Sequence, residues 1–96
     1  MAKPKEQQIC IVTVTGKDKV GIIAKLSTAM TRANINIVDV NQNIMENNFV
    51  MTMACEIQNA TINIAQLKLT LDKIARQMEL NITVQHEKIF KMMHRV

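Results

Sequence analysis

At 96 residues the chain holds one domain with one core, and its 48% hydrophobic content excludes a disordered chain. The net charge of +4 raises nucleic acid as a partner, but the cations are scattered and no run of like charge is long enough to form a binding tail. Met1–Gln8 is too polar for a signal peptide, no apolar run approaches the ~20 residues of a membrane span, and Cys10 and Cys55 form no C-x-x-C pair, so the expected setting is the cytoplasm, with reduced thiols.

Residues 1–6 carry a proline and mixed charge and are expected to be a disordered lead-in to a domain over 7–90. Gln7–Thr15 is a run of β-formers with apolar residues on both faces, which predicts a central strand. Gly16-Lys17-Asp18-Lys19 is expected to break it. From Val20 the period turns helical. Ile22, Ile23, Leu26, Ala29, Met30 and Ala33 make one apolar stripe, with Asp18 placed to cap the first turn. The helix is expected to end near Arg32–Asn34.

Ile35–Met45 returns to β character, with Val38, Val40 and Ile44 alternating against Ile37, Asp39 and Asn43. Glu46-Asn47-Asn48 is a hairpin turn, since Asn tolerates positive φ. Phe49–Ile57 is the third strand, with Phe49, Met51, Met53, Cys55 and Ile57 on one face. After a loop at 58–61, a second helix runs from about Asn63 to Glu79 on Ile64, Leu67, Leu71, Ile74 and Met78. Leu80–Gln85 is the last strand. A tail follows from His86, with residues 91–96 its end or a short helix, and Ile89, Phe90 and Met93 as its apolar side.

The order β-α-β-β-α-β predicts an α+β, ferredoxin-like sandwich: a four-stranded antiparallel sheet, first and third strands central, with both helices on one face. The uncovered face then carries Ile9, Ile11, Thr13, Val50 and Ala54. Such a surface predicts self-association, unless the tail folds back over it.

This scaffold serves many functions. RNA-binding versions stack bases on aromatics of the first and third strands; here only Phe49 is available, which argues against nucleic acid. Metallochaperone versions place a Cys pair in the first loop, and this loop has none. Asp39, Asn41 and Asn43 share a strand face and offer oxygen ligands, but a hydrated strand surface is the stronger reading. His86 and His94 have no companions at metal-ligand spacing, and no nucleophile–base pair is present. No catalytic residue, metal site or cofactor is expected.

The first loop keeps two readings open. Gly16 and Gly21 can merely shape a turn. Alternatively, Gly21 admits a ligand close to the backbone, the helix start offers free N–H groups to a carboxylate, and Asp18 accepts from an ammonium group.

The stretch Gly16-Lys17-Asp18-Lys19-Val20-Gly21-Ile22-Ile23-Ala24, followed by Asn34-Ile35-Asn36-Ile37, resembles the ACT domain family. The likeness extends over nearly the whole chain. It is similar to small free-standing ACT proteins and to the ACT halves of the glycine cleavage transcriptional repressor. The resemblance implies a regulatory homodimer that binds a small-molecule effector, an amino acid, between subunits. Asp18, Val20, Gly21 and Ile22 would come from one chain, with Asn36 and Ile37 from the other. Many family members have Pro where Val20 stands, so this loop is expected to be looser. Any regulation would act in trans. The alternative is a ligand-free adaptor that binds a protein partner through Phe90, Met92 and Met93.

Overall fold

The computed structural model describes residues 6–88. The expected N-terminal lead-in and the apolar tail residues Ile89, Phe90, Met92 and Met93 fall largely or wholly outside them. The elements are β1 (Ile9–Lys17), α1 (Ile22–Arg32), β2 (Asn36–Met45), β3 (Asn48–Glu56), α2 (Ile64–Met78) and β4 (Leu80–His86). The strands form one antiparallel sheet in the order β2-β3-β1-β4, with β1 and β3 central as expected. This is the ferredoxin-like α+β sandwich.

Strand alternation builds the core. Cys10, Val12 and Val14 of β1 and Phe49, Met51, Met53 and Cys55 of β3 point to the helix side and are buried. Onto them pack Ile22, Leu26 and Met30 of α1 and Leu67, Leu71, Ile74 and Met78 of α2. These helical residues recur at three- and four-residue spacing, which puts each set on one stripe. Unbranched Met fills four of these positions. Cys10 and Cys55 are direct cross-strand partners and both are free thiols.

Each helix starts differently. At α2, the Asn63 side chain accepts from the Gln66 N–H at 2.8 Å, and the Gln66 side chain accepts from the Asn63 N–H at 3.0 Å, a complete capping box. At α1 the cap position is Gly21, not Asp18, and no side chain bonds the first turn. The Asp18 N–H is engaged elsewhere, donating to the Asn47 carbonyl at 2.9 Å. The helix therefore begins at Ile22, two residues later than its periodicity suggests.

Two other expectations give way to tertiary contacts. β1 does not break at Gly16; it continues to Lys17, with Gly16 opposite Phe49 on one side and Leu80 on the other. The glycine lets Leu80 come so close that a Cβ would stand 2.7 Å from its Cδ2. In β2 a bulge at Val38 shifts the register. Ile37, Val40, Gln42 and Ile44 then pair with core-facing residues of β3, while Asp39, Asn41 and Asn43 pair with the opposite face. The expected alternation, with Val38 in phase with Val40, is broken there.

The helix-free face is less apolar than expected. Ile9, Ile11 and Val50 share it with Thr13, Thr15, Thr52, Asn41, Asn43, Asn81 and Thr83. Besides Val50, the large exposed apolar side chains among the described residues lie elsewhere: Val38, Val40, Ile44 and Met45 on edge strand β2, Val20 and Ile23 at the start of α1, and Leu69 on α2.

Candidate functional site

The loop between β1 and α1 is held at both flanks. On one side the Asp18 N–H bonds the β2–β3 turn through Asn47. On the other, Lys19 Nζ donates to the Met78 carbonyl at 2.6 Å and lies 3.9 Å from Glu79 Oε1. Lys19 thereby places a cation at the C-terminal end of α2, where the helix dipole and free carbonyls favour it.

Between these anchors Val20 projects into solvent, 99% exposed. Gly21 follows at φ 92°, a left-handed conformation that glycine adopts without strain. A Cβ added there would meet nothing within 4 Å, so the space before the helix mouth is open. The first intrahelical bond at this end runs from the Lys25 N–H to the Gly21 carbonyl at 3.0 Å. The N–H groups of Ile22, Ile23 and Ala24 precede it in the first turn, with no capping side chain and no acidic residue nearby in that turn. The positive end of the α1 dipole thus faces outward. The Asp18 side chain is exposed beside it.

Asn36 and Ile37 open β2 at the other end of the sheet. Asn36 is level with Glu56 and Ile9, whereas the loop leaves the sheet after Lys17. The nine residues of β1 separate the two ends by about 26 Å. One protomer therefore does not bring Asp18, Val20, Gly21 and Ile22 together with Asn36 and Ile37.

Asn36 belongs to a polar cleft that the sequence reading missed. The cleft measures about 380 Å³ and is lined by Thr31, Asn34, Asn36, Glu56, Gln58 and Asn59 among others. Glu56 is its centre: Gln58 Nε2 donates to Oε2 at 2.7 Å and Asn36 Nδ2 donates to Oε1 at 3.3 Å. These bonds, that from Gln58 first, hold the Glu56 carboxyl below its ordinary range. Asn34 takes φ 56° and donates from Nδ2 to the Asn59 carbonyl at 3.0 Å. The only sequence signal for this cluster is a density of amides around 34–36 and 58–59. Ile37, by contrast, packs against the core.

Of the remaining suspects, His94 lies outside the described residues. Asp39, Asn41 and Asn43 do share a face, and no group of three or more His, Cys, Asp or Glu among the described residues is placed to hold a metal. His86 Nε2 lies 2.9 Å from Gln8 Oε1. Among the described residues no helix is long and apolar enough to cross a membrane.

Known proteins match this arrangement along almost its whole length. The sequence profile of the ACT domain family matches residues 8–85. A UPF0237 protein of Methanocaldococcus jannaschii is 43% identical over 86 residues, covering 90% of this chain and 96% of that protein. A UPF0237 protein of Clostridium perfringens is also 43% identical over 86 residues and is 97% covered. Among solved structures, an ACT domain protein from Streptococcus pneumoniae superposes with a TM-score of 0.76 at 26% identity, covering 90% of this chain and 97% of that one. A protein assigned as a glycine cleavage system transcriptional repressor shares the fold, with a TM-score of 0.72 at 23% identity. The match covers 85% of this chain and 47% of that one. With the profile spanning most of its length and relatives of this identity matched nearly end to end, the chain belongs to the ACT domain family.

Proposed function

We propose that this protein is a homodimeric sensor of an amino acid, acting in trans on metabolism in the cytoplasm and not as a catalyst. ACT domains are typically ligand-binding regulatory modules, and the proposal gives this one a site. Asp18, Val20, Gly21 and Ile22 of one subunit face the partner subunit's Asn36 and Ile37. The N–H groups at the start of α1 receive the carboxylate of the amino acid. The Asp18 carboxylate accepts from its ammonium group, and the Asn36 amide supplies further hydrogen bonds.

The observation that carries the reading is the separation of the two halves. They cannot meet within a protomer, but β2 is an edge strand with exposed apolar residues, including Val40 at 48% and Ile44 at 55%. A two-fold axis through the edge of β2 near Asn41 would pair the strand antiparallel with its copy. Asn36 would then lie opposite the partner subunit's Met45, the residue level with Asn48 in the β2–β3 pairing, next to the turn to which the loop is tied. Self-complementary pairing of this kind also removes an open edge and covers apolar surface.

Light scattering combined with thermal shift against the proteinogenic amino acids tests the reading. A dimer is expected, with one amino acid or a related group raising the melting temperature. At a ligand concentration near 100 Kd, the stabilisation is about 2.7 kcal/mol, a shift of roughly 10 °C or more for a domain of this size. Asn36→Ala and Gly21→Ala should each abolish the shift while the domain stays folded. A shift that survives both changes refutes the site. A dimer that responds to no amino acid removes the sensor reading and favours the adaptor.

A further inference from the structure

α1 and α2 run antiparallel on the sheet. Lys25 Nζ donates to Gln77 Oε1 at 3.2 Å at one end of the pair, and the Thr61 N–H donates to the Ala33 carbonyl at 2.9 Å at the other. Between these ties the helices do not close. The facing residues are small, with Ala24, Thr28 and Ala29 on α1 and Thr70 on α2, and they leave an open groove of about 630 Å³. Its floor is apolar, from Ala29, Ala33, Ile62 and Ile74, and its rim carries Lys25, Arg32 and Lys73. No carboxylate lines it. The side chains of Arg32 and Lys73 make no hydrogen bond or ion pair among the described residues.

The charge of the whole chain concentrates on this layer. The two helices carry five cations (Lys25, Arg32, Lys68, Lys73 and Arg76) and one acid, Asp72. Their net charge of +4 equals that of the entire protein, because the other seven cations and seven acids cancel. Unpaired cations beside an apolar floor serve a ligand that is both apolar and anionic.

We infer that the groove between α1 and α2 docks an acidic amphipathic helix from another protein. Small walls let a third helix approach closely, and the floor takes its apolar stripe in the helix-in-groove manner. Lys25 and Arg32 are about 10 Å apart along α1. With Lys73 opposite, they meet Asp or Glu residues spaced three, four and seven apart on the incoming helix. Charge excludes the alternatives closest to hand. A second copy would set one basic helix layer on another. The terminal segments of the chain bring Lys3, Lys5, Lys91 and Arg95. A nucleic acid would match the rim but not the floor, and neither helix has an aromatic side chain to stack on a base.

The test is a display selection on the full-length protein. Helical peptides carry a fixed leucine stripe, with Asp, Glu, Lys, Arg and Ser all allowed at the flanking positions. Selected binders are expected to enrich acids over bases several-fold. Their amide shift perturbations should centre on Ala24, Thr28, Thr70 and Lys73. Arg32→Glu combined with Lys73→Glu, two solvent-exposed positions, should reverse the preference to basic flanks without changing the melting temperature much. Failure to select binders, absence of acid enrichment, or perturbations centred on Val40 and Ile44 would each overturn the proposal. So would a short single-stranded DNA that occupies the groove when peptides do not.

Discussion

Replacing Gly16 with alanine tests how closely β1 and β4 approach. Gly16 has φ 154°, which L side chains rarely adopt. A new Cβ would stand 2.7 Å from Leu80 Cδ2, 3.3 Å from the Glu79 carbonyl oxygen and 3.4 Å from Leu80 Cα. The Leu80 methyl can rotate, but Leu80 is only 7% exposed and its neighbours are packed. Overpacking of this kind costs about 1–3 kcal/mol, and an unfavourable backbone conformation about 1–3 kcal/mol more. A combined loss of about 2–6 kcal/mol is expected, from a total stability of about 5–15 kcal/mol. Urea unfolding should show a lower midpoint with an unchanged slope. Leu80→Ala in the same chain separates the two causes. If the clash dominates, the double variant is more stable than the sum of the single losses implies, by about 1 kcal/mol or more. A Gly16→Ala protein within about 0.5 kcal/mol of the parent would refute the reasoning. Strict additivity with Leu80→Ala would assign the loss to the backbone alone.

Three further expectations follow from single contacts. Asn63→Ala removes half of the α2 capping box and should lower stability by about 1 kcal/mol, read by the same urea titration; α1 has no equivalent side chain to lose. The hydrogen bonds from Gln58 and Asn36 depress the Glu56 carboxyl below its ordinary value of 4.5, so the folded form holds its proton less tightly than the unfolded form. Its stabilising contribution is present above that ordinary value and disappears as the pH falls through the folded value; Glu56→Gln should flatten the acid limb of a stability–pH curve. Hydrogen bonding to Cys10 and burial push the Cys55 thiol up, so iodoacetamide should label it at mildly alkaline pH only after unfolding, and rapid labelling of the native chain would contradict the buried pairing.

Glu56 also illustrates where sequence reading stops. Nothing in the β3 pattern sets it apart from an ordinary exposed residue ending a strand. It becomes the centre of a cleft because the β2–β3 register puts Asn36 opposite it and the next turn returns Gln58. The α1–α2 groove has the same origin. Ala24, Thr28 and Thr70 read locally as helix surface, and only the packing of two helices over one sheet leaves them facing each other across a gap.

The sequence by itself determined the element order, the two helical stripes, the alternating core of β1 and β3 and the likeness to the ACT family. Those properties are carried by residues near one another in the chain, where periods of two and of 3.6 are legible. The tertiary structure decided the rest. Leu80, 64 residues further along the chain, lets β1 run through Gly16. Asn47 takes the Asp18 N–H, and α1 is left with an uncapped, open N-terminus. The bulge at Val38 sets which residues of β2 face the helices. It also took the folded sheet to put the loop and Asn36 at opposite ends of the protomer. Each of these outcomes depends on a contact between residues distant in sequence, and strand pairing and close packing choose such contacts over the whole molecule, beyond the reach of any local pattern.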